Sequence, residues 1–302
     1  MVLHLTAQGA LADSTYLDIA GASPFGFALP GDGTVLVAVA NDTGAPPVLA
    51  QVLFGSAGWT APACLSPDAL NSASFISGIS PGEFVTLTGF GIGPDAGVTY
   101  QPDSQGQVPT SLGGVTVSFN GIPAPLLYVQ SRQVNTQVPF EVSTSTTTQT
   151  QVAVSLTYQN QTFGPFTLTS NWLGAPGIFR LQPGTSTLAA ALNQDGTVNG
   201  PSNPAAAGSY ISFFGTGYGP LVPPCATGGL NPPTAVPLYF TGSPIGSTVT
   251  DFQYTIQYGG SAPTLLCGVD QFNFQIPANA PSGPFVLTPY INPGYQDIVY
   301  VK

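Results

Sequence analysis

Histidine, cysteine and glutamate often carry protein chemistry, and this chain of 302 residues contains few of them. His4 is the only histidine, so a Ser-His-Asp or Cys-His arrangement has a single candidate base, close to the N-terminus. Glu83 and Glu141 are the only glutamates, and a glycosidase pair needs two acids about 5–10 Å apart. Both glutamates fit the starts of strands instead. We therefore expect no enzymatic activity and no cofactor.

Two further motifs resemble ligand loops but lack what such loops need. The runs GFGIGP (89–94) and GTGYGP (215–220) end in proline where a phosphate-binding loop would continue into a helix, so they indicate turns. Asp195 is the only carboxylate in NQDGTVNGPSN (193–203), whereas a calcium loop uses several. Asp195-Gly196 therefore predicts a hairpin turn rather than a cation site.

The three cysteines are Cys64, Cys225 and Cys267. They lack the C-x-x-C spacing of metal sites. Cys225 and Cys267 both lie in the C-terminal region, and a disulfide between them fits an exported protein. Cys64 is then left free or available to another chain. We expect no metal site.

The charge composition limits the partners of this chain. Only 5% of the residues are charged, and the net charge is −10. Nucleic acid is excluded as a partner because phosphate binding needs clusters of Lys and Arg, and anionic membrane surfaces are disfavoured for the same reason. No apolar run approaches the roughly 18 residues of a membrane span. With the expected disulfide, this composition predicts an extracellular or cell-surface protein that is not inserted in a membrane.

Two similar strands carry amide side chains on one face. QVNTQVP (133–139) and QFNFQIP (271–277) alternate amides with apolar or hydroxyl side chains, the period-2 pattern of a strand. The amide faces consist of Gln133, Asn135 and Gln137, and of Gln271, Asn273 and Gln275. Two interpretations remain open: a solvated strand face that avoids charge, or a surface suited to packing against other copies of the chain.

The elements that position these residues are strands throughout. Gly (37 residues) and Pro (31 residues) interrupt the chain too often for helices. Short β-branched or aromatic runs such as EFVTLTGF, GVTVSFNG and SYISFFGT are bounded by turn residues. This spacing predicts an all-β fold of antiparallel sandwiches.

An internal repeat predicts two such sandwiches in tandem. PGEFVTLTGFGIGP (81–94) matches AGSYISFFGTGYGP (207–220) at an offset of 126 residues, and the amide strands match at 138. The second match also aligns Ala124-Pro125 with Ala262-Pro263. The 12 extra residues of the second copy are then expected near VPPCATGGLNPP (222–233). The sequence therefore predicts three parts: a β-rich segment at 1–69, one sandwich at 70–172 and another at 173–302.

Several of these motifs also resemble a known family. They are LNSASFISGISPGEFVTLTGFGIGP, VPTSLGGVTVSFNGIPAPLLYV, QVNTQVP, APGIF and AALNQDGTVNGPSNPAAAGSYISFFGTGYGP. In this order they resemble the uncharacterised C-terminal domain family of acidobacterial (Solibacter-type) secreted proteins, over about residues 70–302. The resemblance implies tandem Ig-like, IPT/TIG-type sandwiches without a known activity. STYLDIAGASPFGFALPGDGTVLVAVAN resembles, more weakly, the last strands of a β-propeller repeat.

Two functions are compatible with these features. The first is a structural subunit of an extracellular self-associating assembly or filament, in which residues 1–69 complete a β-structure with a neighbouring copy. The second is an Ig-like spacer or an adhesion or carbohydrate-binding module, which would carry an exposed aromatic cluster. Asn41 and Asn160 stand in N-x-[ST] sequons and are possible glycosylation sites. The expected partners are therefore copies of the chain itself and, in the second case, surface glycans.

Overall fold

The protein is all-β, as the sequence predicted. The computed structural model describes residues 63–142, 150–170, 176–182, 187–219, 221, 223, 225–240, 243–244, 256–287 and 297–302, and the backbone of five strands within residues 2–53. These residues form antiparallel sheets and contain no α-helix. The chain divides into two compact units, Met1–Pro62 and Ala63–Lys302.

The N-terminal unit contains two separate groups of strands. Its strands are β1 (Val2–Leu5), β2 (Leu11–Thr15), β3 (Ala22–Ala28), β4 (Thr34–Asn41) and β5 (Val48–Leu53). β1 pairs with β2, and the other three form an antiparallel sheet in the order β3-β4-β5. The possible glycosylation residue Asn41 ends β4, and its side chain lies outside the described residues.

The second unit begins with a sandwich that spans the described residues from 63 to 170, here called the first sandwich. Its strands are β6 (Cys64–Leu65), β7 (Leu70–Asn71), β8 (Phe84–Phe90), β9 (Val98–Thr99), β10 (Ser111–Leu112), β11 (Val115–Phe119), β12 (Ile122–Pro123), β13 (Leu126–Gln130), β14 (Gln133–Gln137), β15 (Thr150–Tyr158) and β16 (Gln161–Ser170). A short 3-10 helix covers Phe140–Val142.

Two sheets enclose the core of the first sandwich. One has the order β6-β8-β14-β13-β9, with β7 also paired to β8, and the other has the order β10-β11-β15-β16, with β12 paired to β11. Alternate residues of both sheets meet in one cluster, to which Leu87 and Val134 contribute from one side and Phe119 and Leu156 from the other. Ala63 and Leu65 pack against the same cluster, so the first sandwich includes residues that precede Leu70.

The second sandwich spans the described residues from 176 to 302. Its strands are β17 (Gly177–Ile178), β18 (Ala191–Asn193), β19 (Tyr210–Thr216), β20 (Tyr239–Phe240), β21 (Ser243–Pro244), β22 (Ile256–Ser261), β23 (Asp270–Gln275), β24 (Gly283–Leu287) and β25 (Asp297–Val301). The main sheet has the order β17-β19-β23-β22, with β18 also paired to β19. It shares a separate core with the β24–β25 pair, in which Phe213 stacks on Phe272 at 5.2 Å between ring centroids.

The strand pairing supports the internal repeat residue by residue. β14 pairs with β8 so that Asn135 faces Thr86, and β23 pairs with β19 so that Asn273 faces Ser212. All five pairs of the first ladder recur in the second at offsets of 126 and 138 residues. The two amide strands therefore occupy equivalent positions, as the sequence predicted.

The register corrects one part of the sequence alignment. In both copies the strand before the amide strand carries a bulge, between Leu126 and Tyr128 and between Ile256 and Tyr258. Tyr128 is thus equivalent to Tyr258, an offset of 130. Ala124-Pro125 precedes β13 whereas Ala262-Pro263 follows β22, so their predicted match is wrong. A shared dipeptide misled the alignment because it carries no information on pairing.

The extra residues of the second copy therefore lie in two places. The offset rises from 126 to 130 before β22, which places four of them there, and from 130 to 138 between β22 and β23, which places eight there. The larger insertion is the loop 262–269, here called the long loop. In the first sandwich, a turn at Ser131-Arg132 makes this connection.

The long loop is held to a second loop by the predicted disulfide. Cys225 and Cys267 are bonded, with 5.9 Å between their Cα atoms. Beside the bond, the amide nitrogen of buried Asn231 lies 3.0 Å from the carbonyl of Ala262 and 3.1 Å from that of Leu266. We call residues 225–231 the short loop. The two loops form one covalently linked surface at one end of the second sandwich.

Removing this disulfide should loosen both loops. We expect Cys225→Ser with Cys267→Ser to lower the free energy of unfolding by about 2–4 kcal/mol, because a cross-link over 42 residues restricts the unfolded chain. Cys64→Ser, at an exposed free cysteine, is the control and should change stability by less than about 0.5 kcal/mol. Urea denaturation under non-reducing conditions measures both. Equal stability of the double variant and the control would contradict a structural role of the bond.

Candidate functional site

The most elaborate polar site in the described residues lies where the first sandwich meets the second. We call it the joint. It brings the end of the first sandwich that carries the start of β8 against the short and long loops and the end of β19. Its main residues are Asn71, Gly82, Glu83, Gln137, Phe140 and Glu141 of the first sandwich, and Thr216, Gly217, Thr227, Gly228, Cys267 and Gly268 of the second.

The side chain of Gln137 bridges three backbone segments at the joint. Its Nε2 donates to the carbonyls of Gly82, at 3.2 Å, and of Cys267 in the long loop. Its Oε1 accepts from the backbone N–H of Gly228 in the short loop, at 2.8 Å. An amide suits this place because one planar group offers donors and an acceptor without charge. Gln137 is only 2% exposed, so these hydrogen bonds are shielded from water.

A second connection runs through Asn71 and Thr216. Asn71 Nδ2 donates to Glu83 Oε1 at 2.8 Å and to the Thr216 carbonyl at 3.3 Å. Thr216 Oγ1 accepts from the backbone N–H of Phe84 at 3.1 Å. Asn71 and Thr216 are fully buried. Buried polar groups that are paired in this way fix the relative position of two surfaces, since any displacement leaves them unsatisfied.

Two glycines allow this close approach. A Cβ on Gly268 would meet the Gly82 carbonyl, and one on Gly217 would lie 2.9 Å from Asn71 Nδ2. Both have φ in the left-handed region, at +96° and +87°, where glycine is favoured. The turn motif GTGYGP thus supplies contact surface for the first sandwich.

The joint also buries two carboxyl groups. Glu83 accepts from the backbone N–H of Ser80 at 2.7 Å, yet its burial raises the pKa of the carboxyl to about 8. Burial likewise raises the pKa of Asp270 well above its usual value. Both line a cavity of about 10 Å³, which is about the size of one water molecule and too small for a substrate. The two groups are therefore structural rather than arranged around a ligand.

The two glutamates considered for catalysis both belong to the joint. Glu141 lies in the 3-10 helix rather than at a strand start, and its carboxylate accepts from Thr227 Oγ1 at 2.7 Å. Thr227 Oγ1 in turn accepts from the backbone N–H of Phe140 at 3.0 Å. His4 lies in the N-terminal unit, and its side chain is outside the described residues. No group of three His, Cys, Asp or Glu side chains within the described ranges is placed to hold a metal.

The side chains on the amide face of the first sandwich form hydrogen bonds with one another. Gln133 Nε2 donates to Asn135 Oδ1 at 2.8 Å, and Thr86 Oγ1 donates to the same oxygen at 3.3 Å. β14 lies between β8 and β13, so it offers no free edge to another chain. Of the two interpretations of this face, a solvated one does not apply at Gln137, which is covered by the second sandwich.

The second amide face has the same pattern of hydrogen bonds. Gln271 Nε2 donates to Asn273 Oδ1 at 2.9 Å, as Gln133 does to Asn135. Gln275 Nε2 donates to the Gly208 carbonyl at 2.8 Å, as Gln137 does to Gly82. Unlike Gln137, however, Gln275 is exposed. The second sandwich thus presents, uncovered, the surface that the joint buries in the first.

The remaining predicted residues lie at the surface. Asp195 caps a turn by accepting from the backbone N–H of Thr197 at 3.0 Å, and the antiparallel bridge between Leu192 and Val198 confirms the predicted hairpin. The sequon residue Asn160 is exposed in the turn between β15 and β16. Within the part of the chain that the structure describes, no helix has the length and apolar character of a membrane span.

Comparison of the chain with protein-family models, with curated proteins and with solved structures gives no match. The site must therefore be interpreted from its own geometry.

Sequence reasoning missed several joint residues because their types are ordinary. Asn71 occurs in a short strand, and only its later partners Glu83 and Thr216 distinguish it. One signal was available: the repeat aligns Glu83 with Ser209 and Phe140 with Ala278, at offsets of 126 and 138. Differences between otherwise matching copies indicate where their surroundings differ.

Gln137 should be worth far more to stability than its exposed counterpart Gln275. We expect Gln137→Ala to lower the free energy of unfolding by about 2–4 kcal/mol, because it leaves buried backbone groups without partners. Gln275→Ala, the matched control, should cost less than about 0.5 kcal/mol because water replaces the lost bond. Urea denaturation of both variants measures the difference. Equal losses would contradict the role given to Gln137.

Glu83 should make stability depend on pH in a definite direction. Its pKa is about 8 in the folded protein against 4.5 when unfolded, so the folded state binds more protons between these values. The contribution of the protonated Glu83 carboxyl to the free energy of unfolding is complete below pH 4.5. It falls by about 1.4 kcal/mol per pH unit as the pH rises towards 8. Glu83→Gln, which stays neutral, should reduce the slope of unfolding free energy against pH from 5 to 8. An unchanged slope would show that the carboxyl does not titrate in this way.

Proposed function

We propose that this protein is a non-enzymatic structural subunit that self-associates end to end, outside the cell. The observation that supports this most is the free end of the second sandwich. It retains the hydrogen bond between Gln275 and Gly208, whose counterpart between Gln137 and Gly82 is buried by a neighbouring domain. The first sandwich uses this surface to bind the second sandwich. The equivalent surface of the second sandwich is exposed and could bind another copy of the chain.

The differences between the two ends agree with distinct partners. In the first sandwich, Phe140 packs over Gly82. In the second, Ala278 takes the equivalent place and is exposed, 4.0 Å from the Cβ position of Gly208. Beside it lies an open recess of about 460 Å³, which is lined mostly by neutral residues such as Asn203 and Ser209 and also by Asp195 and Lys302. The amides of Asn193 and Asn203 and the hydroxyl of Ser209 are hydrogen-bonded within the chain, so covering them leaves no unpaired donor.

The partner that we propose for this end is the N-terminal unit of a second copy. Contact between two different surfaces is heterologous, and unless its rotation closes a ring it continues into a filament. The N-terminal unit has outer strands, β3 and β5, in its described three-stranded sheet. Outer strands offer backbone groups for strand addition. The amide strands have both neighbours in place, so they do not serve this purpose.

An extracellular location accords with this role. The disulfide between Cys225 and Cys267 forms and persists in oxidising compartments. The low content of Lys, Arg and Glu leaves few of the charged residues that normally prevent strand edges from pairing. The resemblance to a family of acidobacterial secreted proteins, with its Ig-like sandwiches, supports the same location.

Two variants test the two sides of the proposed contact. Ala278→Arg adds a bulky charge to the free end without touching either core, and deletion of residues 1–62 removes the proposed partner unit along its boundary. We expect the full chain to form species larger than the 30.8 kDa monomer and both variants to be monomeric. Size-exclusion chromatography with light scattering and negative-stain imaging measure this.

The control is Gln151→Arg, which places the same charge at an exposed glutamine on the β15 sheet of the first sandwich. It should assemble as the full chain does. A full chain that stays monomeric would overturn self-association. Normal assembly of the Ala278→Arg variant, or of the deletion variant, would show that the contact lies elsewhere.

A further inference from the structure

An open cleft of about 480 Å³ lies on the amide face of the second sandwich. Its size falls within the roughly 300–1,000 Å³ of small-molecule sites. Its polar and aromatic lining includes Gln194, Tyr210, Ser212, Gln257, Tyr258 and Asn273. No acidic or basic side chain lines it. We call it the tyrosine cleft.

The strand register places the cleft residues side by side. Ser212 on β19 faces Asn273 on β23, and Asn273 faces Tyr258 on β22. Side chains at directly opposed positions on one face lie about 5 Å apart. Tyr210 is two residues from Ser212 and therefore shares its face. The two tyrosines thus flank a central amide.

Internal hydrogen bonds orient these groups. Asn273 Oδ1 is occupied by Gln271 at 2.9 Å, which leaves the Asn273 N–H₂ to donate. Gln194 Oε1 accepts from the backbone N–H of Tyr210 at 3.1 Å, so its N–H₂ is likewise the group on offer. Tyr258 donates its hydroxyl to the Ser261 carbonyl at 2.7 Å, which holds the ring in place. A fixed set of donors between aromatic rings loses little freedom on binding.

We propose that the tyrosine cleft binds a neutral glycan. A pyranose presents a face of C–H groups that packs on an aromatic ring and a rim of hydroxyls that accept from amide N–H groups. The 40% exposed ring of Tyr210 and the amides of Gln194, Gln257 and Asn273 match these two features. The absence of charge in the cleft and the net charge of −10 select against acidic polysaccharides.

The first sandwich shows that this cleft is not a by-product of the fold. At the positions equivalent to Tyr210 and Gln257 it has buried Phe84 and apolar Leu127. Asn193 and Asn71 pair with the equivalent residues Ile211 and Val85, so the position of Gln194 corresponds to Ser72, whose hydroxyl lies 3.1 Å from that of Thr86. There the same face is closed by direct bonds between its own side chains. The amides of Gln194 and Gln257 and the exposed Tyr210 are specific to the second sandwich, whereas the central amide recurs as Asn135.

Affinity electrophoresis of the full chain tests this proposal. The native gels contain hydroxyethyl cellulose, galactomannan or dextran as neutral probes, and alginate as an acidic probe. We expect at least one neutral polysaccharide to retard the protein and alginate not to. Tyr210→Ala and Asn273→Ala should each weaken this retardation at least tenfold, whereas Tyr210→Phe, which keeps the ring, should retain most of it.

The matched control is Asn135→Ala, which removes the equivalent amide from the first sandwich. It should bind as the native protein does. Absence of retardation by all three neutral probes would overturn the proposal, as would unchanged binding by Tyr210→Ala or an equal loss in Asn135→Ala. Thermal denaturation of each variant identifies any loss of binding that comes from unfolding, and a variant that unfolds is replaced by Gln257→Ala, for which the same tenfold weakening is expected. Asn193 and Gln194 line both the cleft and the recess at the free end, whereas Asn273 lines the cleft alone, so the Asn273→Ala variant separates glycan binding from self-association.

Discussion

The neutral side chain of Gln137 makes the central contact between the two sandwiches. Gln137 ends the amide strand of the first sandwich and satisfies backbone groups of both loops of the second. These loops keep their position because a disulfide and the amide of Asn231 hold them together. The amide, the loops and the disulfide therefore form one system, in which each part is useful only while the others are in place. It fixes two separate hydrophobic cores as one compact unit.

The two sandwiches share a framework but differ where they meet other parts of the protein. Strand pairing, bulge and amide hydrogen bonds recur in both. The differences are concentrated at the ends: Glu83 against Ser209, Phe140 against Ala278, and a tight turn against the long loop. Eight inserted residues give the second copy a surface that the first lacks. The two copies thus differ through small changes, several of them in loops, which tolerate change, and others within strands, such as Phe84 against Tyr210.

The sequence predicted the all-β fold and the equivalent amide strands because each leaves a local pattern, and it predicted the disulfide because both cysteines lie in the C-terminal region. Alternation identified the strand face on which Gln137 lies. A period-2 pattern does not show whether water or a second domain covers that face. The joint partners Asn71 and Thr216 are 145 residues apart, and no local signal connects them. The Ala-Pro alignment failed for a related reason, since the bulge before the amide strand shifts the register without changing the composition. Long-range polar pairing was the information that the sequence did not reveal.

The scarcity of ion pairs also affects how this protein responds to its surroundings. The hydrogen bonds of the joint come mostly from amides, hydroxyls and backbone groups. The ion pair within the described residues joins Arg180 to Asp297, at side-chain exposures of 10% and 3%. Dissolved ions screen exposed charges over about 8–10 Å at moderate ionic strength and act much less on buried pairs. The geometry of the joint is therefore expected to depend little on the concentration of dissolved salt.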